Sequence, residues 1–455
     1  MNSDIVHTTV QHGRPVQIIE VDGDTGTFRL KNEELRSILL QEKVKDKPVA
    51  VVSIAGDFRK GKSFLLNLFV RYLQKKDNWL VDKDEPLRGF SWRGGHERDT
   101  SGILMWSKPF ITKRKDGREI AILLMDTQGT FDNKTTVKEN ATIFAISTMT
   151  SSIQIFNLLH NMQEDNLQML EAFLEYGRIA QKSVDAKPFQ RLMFLIRDWS
   201  YPYEYEYGIG GGQHLLEEQL KVTSKQRPQL QRVRKNINSC FSHIGCFLLP
   251  HPGPKVATNP NFDGRVSDID PEFVQNMEQL MYQLLAPDNI VVKQVSGRDL
   301  TGAQLLEYFI VYTAGFNGEN IPEPTTMLEA TAEANNLVAL QRARNFYEGN
   351  MKKFEKEGIS VSLQILEKKH FSFKQAALDI FEKSPKLGGQ NERSKMYYER
   401  LVKEIGNAYE YYKSVMEERT KQKKAAKYKF FKGMVQGVFI GLGAKKGYSL
   451  VRRIL

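Results

Sequence analysis

The sequence predicts an α/β domain with a mainly parallel sheet, followed by an all-α three-helix bundle. Three observations predict it. Apolar, strand-like runs alternate with helical stretches from Val49 to about Phe316. A G-x-x-x-x-G-K-S element joins the first of those runs to a helix. Beyond a proline-broken link, three long periodic segments follow with almost no proline.

At 455 residues the chain exceeds what one core usually serves, so two domains are expected. Its 41% hydrophobic and 10% aromatic content is that of an ordinary folded protein, which excludes fibrous and disordered classes. Residues 16–21 read as an edge strand and 33–40 as a short helix. The core strands read as 49–55, 120–125, 153–159, 192–196 and 246–249. Cys240 and Cys246, without a secretory leader, read as reduced, packed thiols of a cytosolic compartment. Pro322 and Pro324 favour an extended link. The helices after it read as 326–357, 361–384 and 391–431, the last with the apolar stripe Tyr397, Leu401, Ile405, Ala408 and Tyr412. The expected domains are therefore 1–316, a linker at 317–325, a three-helix domain at 326–431 and a basic tail at 432–455.

The net charge of +11 is explained by where it lies. No acid occurs after Glu418, whereas Arg419, Lys421, Lys423, Lys424, Lys427, Lys429 and Lys432 do, with more cations beyond. A basic tail without a nucleic-acid signature predicts a membrane surface as partner and no nucleic acid.

The stretch 49–66, VAVVSIAGDFRKGKSFLL, carries the clearest chemistry. Gly56 and Gly61 free the backbone to curl, so successive N–H groups and a helix N-terminus face one anion. Lys60 contributes backbone or a solvated charge. Lys62 is expected to reach the β- and γ-phosphates of a nucleoside triphosphate, and Ser63 Oγ to ligate Mg²⁺. A second strand ends in Asp126-Thr-Gln-Gly129, a D-x-x-G whose Asp126 holds Mg²⁺ and whose Gly129 lets a backbone N–H sense the γ-phosphate. Between them, 89–102 is rich in glycine and charge. It reads as a loop carrying Thr100 as second hydroxyl ligand of Mg²⁺, or as a plain solvated loop. No glutamine follows D-x-x-G, because Thr130 stands there. Arg59 inside the loop is therefore expected to act in cis on the developing charge, an effect worth ~10³–10⁵ in rate.

Base choice falls to Arg197-Asp198 at the end of a third apolar run. A carboxylate matches guanine N1–H and N2–H₂ and is left unpaired by adenine. The pair also reads as a strand-end ion pair, since the N/TKxD sequence is absent.

With these residues in hand, the chain resembles the atlastin family, dynamin-superfamily GTPases of the endoplasmic reticulum, from about residue 10 to 420. GxFRKGKSFLL from Gly56, GFSWRGG from Gly89, Arg197-Asp-Trp and the LPHPG beginning at Leu249 carry the likeness. The resemblance implies GTP and GDP as ligands and Arg59 as an intramolecular arginine finger. It also implies that Arg197 lies against the base and that Asp198 reads its edge. Val256 and Asn259 would sit over guanine and ribose, with Gln128 and the Phe64 backbone approaching the nucleotide. Arg93 and Arg98 would couple nucleotide loading to a GTP-dependent homodimer that tethers and fuses membranes. Alternatives are a soluble guanylate-binding-protein-like GTPase and a GTP-gated scaffold. Family members commonly have a small residue at the position of Asp57, which is expected to point outward. Residues 433–444 are too short for a spanning helix. The expectation is a truncated or spliced form, or an end lying in the interface as an amphipathic anchor.

Overall fold

The computed structural model describes residues 13–22, 25–57, 60–92, 102–129, 136–170, 174, 187–316, 324–356, 363–384 and 392–442. The chain divides into two compact units, Met1–Ala334 and Asn335–Leu455.

The first unit opens with β1 (Pro15–Val21), β2 (Phe28–Leu30) and α1 (Asn32–Leu39). Next come β3 (Val49–Gly56), α2 (Lys62–Lys75), β4 (Ile103–Trp106), β5 (Phe110–Lys113) and β6 (Glu119–Thr127). They are followed by α3 (Val137–Thr150), β7 (Ile153–Leu159), α4 (Glu164–Met169), β8 (Phe189–Arg197) and α5 (Gly208–Gln219). The unit continues through α6 (Pro228–Cys240), β9 (Phe241–Leu248), α7 (Pro254–Thr258), α8 (Pro271–Leu285), the small ribbon β10 (Gln294–Val295) with β11 (Arg298–Asp299), and α9 (Gly302–Gly315).

Among the described residues the main sheet runs β2-β1-β4-β6-β3-β7-β8-β9, with β5 also paired to β6. Strands β6, β3, β7, β8 and β9 are parallel; β2, β1, β4 and β5 add antiparallel pairs at one side. The central parallel strand β3 is buried on both faces, so it reads as one apolar run, every residue buried. Each Val or Ile sealed there contributes roughly 1.5–3 kcal/mol.

Two strand expectations need correction. Residues 16–21 are not an edge strand, because β2 folds back outside β1 through a turn in which Gly26 has φ +65°. Strand β9 starts at Phe241 rather than Cys246: as the last strand it leaves Ser242 and His243 exposed, which hides its first half from an apolar-run criterion. Cys240 and Cys246 are buried thiols that form no disulfide, and burial raises the Cys246 thiol pKa far above its ordinary value.

Helices α10 (Pro324–Lys356), α11 (Leu363–Glu382) and α12 (Glu392–Leu442) follow. Proline at the first position of α10 is tolerated because that N–H has no intrahelical partner. The division by compactness falls inside α10, whose opening turns belong to the first unit; there Thr331 Oγ1 lies 3.2 Å from Tyr312 Oη. In the second unit Leu401, Ile405 and Tyr412 are buried, with Tyr397 and Ala408 packed beside them, as the stripe predicts. Tyr347 Oη lies 2.8 Å from His370 Nδ1, and His370 stacks on Tyr409 at 4.0 Å. Helix α12 runs on past residue 431 to Leu442 because no proline stops it. Among the described residues no helix is long and apolar enough to cross a membrane.

Candidate functional site

The site forms where β3, β6, β7 and β8 end, at the carboxyl edge of the parallel strands. Gly56 closes β3 with φ +144°, and a Cβ there would lie 2.1 Å from the Asn157 carbonyl oxygen. Only glycine lets the loop leave the sheet that close to β7. Gly61, at φ +71°, precedes α2 as its N-cap. Conformation requires this second glycine, and a Cβ there, 2.2 Å from Arg197 Nη1, would also displace the guanidinium.

Lys62 is the first residue of α2, buried, and its Nζ donates to the Asp57 carbonyl at 3.0 Å. The ammonium thus lies over the loop that the motif assigns to phosphates. The Ser63 hydroxyl donates to the carboxylate of Asp126 across the gap between α2 and β6. A hydroxyl and a carboxylate brought together beside a phosphate-binding loop are the hard oxygen donors that suit Mg²⁺. Thr127 Oγ1 donates to the Ile54 carbonyl at 2.9 Å and locks β6 to β3 at this end.

Gln128 is buried and turned toward Gly102. Gly102 N–H donates to its Oε1 at 2.8 Å, and its own N–H donates to the Gly102 carbonyl at 2.8 Å. This clamp holds the residue that follows the 93–101 segment. Arg59, Arg93, Arg98 and Thr100 lie outside the described residues, as does Thr130.

Lys60 presents its backbone inward. Its carbonyl accepts from Arg197 Nη1 at 2.9 Å and from Asn157 Nδ2 at 3.0 Å. Arg197 is buried behind the loop, 6.0 Å from the Phe273 ring centroid. Burial lowers its pKa, and Asp198 opposes the shift. Asp198 has φ +55°, a conformation aspartate tolerates, and this turns its side chain out of the strand line. The turn is held by Trp199 N–H on the Leu249 carbonyl at 3.1 Å and by His160 N–H on the Arg197 carbonyl at 2.8 Å. Asp198 Oδ1 has no hydrogen-bond partner among the described residues, and Arg197 Nη2 stands 3.7 Å away. The ion pair is therefore loose, and Asp198 Oδ1 keeps its capacity to accept a hydrogen bond.

Val256 on α7 is half-buried and Asn259, just after it, is exposed. Their loop is tied to α2 by an aromatic cluster: Phe64 lies 5.2 Å from Trp92 and 6.0 Å from Phe262, and Trp92 lies 5.5 Å from Phe262. Phe64 therefore joins the phosphate loop, the end of the 89–92 segment and the 256–262 loop in one packing unit. Asn67 fixes the same segment: its Nδ2 donates to the Phe90 carbonyl at 2.9 Å and its Oδ1 accepts from Phe90 N–H at 2.6 Å. A Cβ on Gly89 would fall 2.1 Å from Asn67 Oδ1, which explains that glycine.

Asn157, Asn67 and Phe262 are site residues that motif reading passes over. Their only sequence signal is a polar side chain inside an apolar strand or helix, or an aromatic in a polar loop. Buried amides of that kind demand partners.

A phosphate-binding loop at the parallel edge, faced by a strand-end aspartate and a hydroxyl, defines a P-loop nucleotide hydrolase. Residues 25–294 match the family model described as guanylate-binding protein, N-terminal domain. The chain is thus a dynamin-like GTPase that binds guanine nucleotide. It is 50% identical over 400 residues to Atlastin-2 of Macaca fascicularis, covering 87% of this chain and 70% of the relative. To human Atlastin-3 it is 50% identical over 402 residues, 87% and 74% of the two chains. To Atlastin-1 of Macaca fascicularis it is 48% identical over 405 residues, 88% and 72%. The chain belongs to the atlastin family.

Proposed function

We propose that this GTPase works mechanochemically: GTP-loaded copies pair through their nucleotide-bearing units, tethering and fusing apposed membranes of the endoplasmic reticulum. The observation that carries the reading is the packing of Phe64, Trp92 and Phe262, which ties the phosphate loop to two segments around it. A change at the γ-phosphate is then felt along the site's rim, where a second copy would dock.

Within the site, Lys62 neutralises the β- and γ-phosphates, and Ser63, Asp126 and Thr100 hold Mg²⁺, which supplies charge neutralisation at the phosphates. Asp198 reads the guanine edge beside Arg197, and Val256 and Asn259 cover base and ribose. Gln128 acts on the nucleotide through the segment it clamps at Gly102. Arg59 stabilises the charge that spreads over the transferred phosphoryl group. Arg59→Ala is expected to hydrolyse GTP at least ~10³-fold more slowly, measured by phosphate release, and an unchanged rate would remove Arg59 from the mechanism.

The membrane contact is assigned to the end of α12. Lys421, Lys423, Lys424, Lys429 and Lys432 are exposed there, beside Tyr428, Phe430 and Phe431 at 71%, 73% and 46% exposure. Cations attract anionic headgroups, and aromatics prefer the headgroup boundary.

Gel filtration with GDP and with a non-hydrolysable GTP analogue, followed by lipid mixing between vesicles carrying the attached chain, tests the proposal. A dimer with the analogue alone and GTP-dependent mixing are expected. Clustering without mixing reduces the function to tethering or scaffolding, and a monomer in both nucleotides defeats the mechanical reading.

A further inference from the structure

We infer that Asn157 is a positioning residue for nucleotide binding: with Arg197 it pins the Lys60 carbonyl and so aims the Gly61 N–H at the phosphates. The inference rests on the reading that the loop 56–63 holds those phosphates.

Two donors from neighbouring strands converge on one carbonyl oxygen. Asn157 on β7 reaches it through Nδ2 at 3.0 Å, and Arg197, the last residue of β8, through Nη1 at 2.9 Å. The peptide joining Lys60 to Gly61 is planar and trans, so its C=O and N–H point in opposite directions. With the carbonyl held toward the strand ends, the Gly61 N–H is turned to the open side of the loop. That N–H stands at the start of α2, where the first N–H groups have no intrahelical partner and face an anion. The φ of +71° at Gly61 is the conformation that makes this crossing, and the Arg197 guanidinium closes the space behind it.

The cost of keeping Asn157 supports a role beyond packing. It is fully buried in a strand whose neighbours are Phe156 and Leu158, and its Oδ1 has no hydrogen-bond partner among the described residues. A small apolar side chain such as valine would suit the strand better, because an unsatisfied buried acceptor destabilises the fold. Among the described residues, the one hydrogen bond that Asn157 makes through its side-chain amide goes to the phosphate loop.

The test uses the full chain and two variants, Asn157→Leu and Asn157→Ala. Both remove the donor, but leucine overfills the site and alanine leaves a cavity, so their thermal stabilities will differ. GDP and a non-hydrolysable GTP analogue are titrated calorimetrically, and KM and kcat for GTP are measured separately. Positioning predicts the same loss in both variants, about 5- to 30-fold in affinity and in KM, with kcat changed far less. An affinity that follows the melting temperature, or one within twofold of the unmutated protein in both variants, overturns the inference. If the unmutated protein itself takes up no GDP, the phosphate-loop reading fails instead.

Discussion

Lys62→Ala is expected to lower affinity for GDP about 10²-fold and for a non-hydrolysable GTP analogue about 10³-fold, with the fold intact. The side chain is buried at the start of α2, and its ammonium lies on the carbonyl of Asp57, 3.0 Å away. A neutral carbonyl is a weaker acceptor than a phosphate oxygen, so nucleotide displaces it and gains a charge-assisted bond. Each such bond contributes about 1.5–3 kcal/mol, and the γ-phosphate adds a second acceptor and more charge. The difference between the two ligands is therefore the informative quantity. Alanine is a good helix former and leaves the loop's own carbonyl without its ammonium, so melting of the nucleotide-free protein is expected to shift by a few degrees at most. Isothermal titration with both nucleotides measures the effect. Affinities within threefold of the unmutated protein would take Lys62 out of the site and, with it, the assignment of the loop.

Much of this site is legible because its parts are local in sequence. Gly56, Gly61, Lys62 and Ser63 fall within one strand-to-helix turn, and turn, helix start and charge dictate one another at that range. Asp126 is legible for the same reason, as the first polar residue at the end of a buried run. What reaches across strands is not. Arg197 resembles a base-facing residue in its motif, yet the structure also shows it donating to the back of the phosphate loop at Lys60. Asn157 and Asn67 carry no motif, and their partners lie 97 and 23 residues away in the chain. Strands β4 and β5 escape notice because each is four residues long and gains its stability by pairing with β6 rather than from its own pattern.

Lys293 is expected to make stability depend on pH at the end of the sheet remote from the site. It is 1% exposed, its Nζ donates to the Ser151 carbonyl at 2.9 Å, and its backbone N–H bonds to Val49 at the start of β3. Burial alone lowers its pKa from 10.5 to about 7. The sign follows from proton counting. Between pH about 7 and 10.5 the unfolded chain carries a proton on this lysine that the folded chain has released. Unfolding then takes up a proton, so stability rises with pH through that window. Below it both forms are protonated, and the folded state bears the full cost of a buried cation, on the order of 3–5 kcal/mol. Lys293→Met removes that cost while leaving the Ser151 carbonyl without its donor, a loss of about 1–3 kcal/mol. The variant should therefore be more stable than the unmutated protein by about 1–3 kcal/mol near pH 6 and lose that advantage by about pH 9.5. Because Lys293 faces the opposite end of β3 from Gly56, GTP hydrolysis at pH 7.5 should be unchanged in the folded variant. Denaturant midpoints across this pH range decide the matter: two curves that run parallel would mean that Lys293 keeps its ordinary pKa, and that water or an anion reaches it inside the fold.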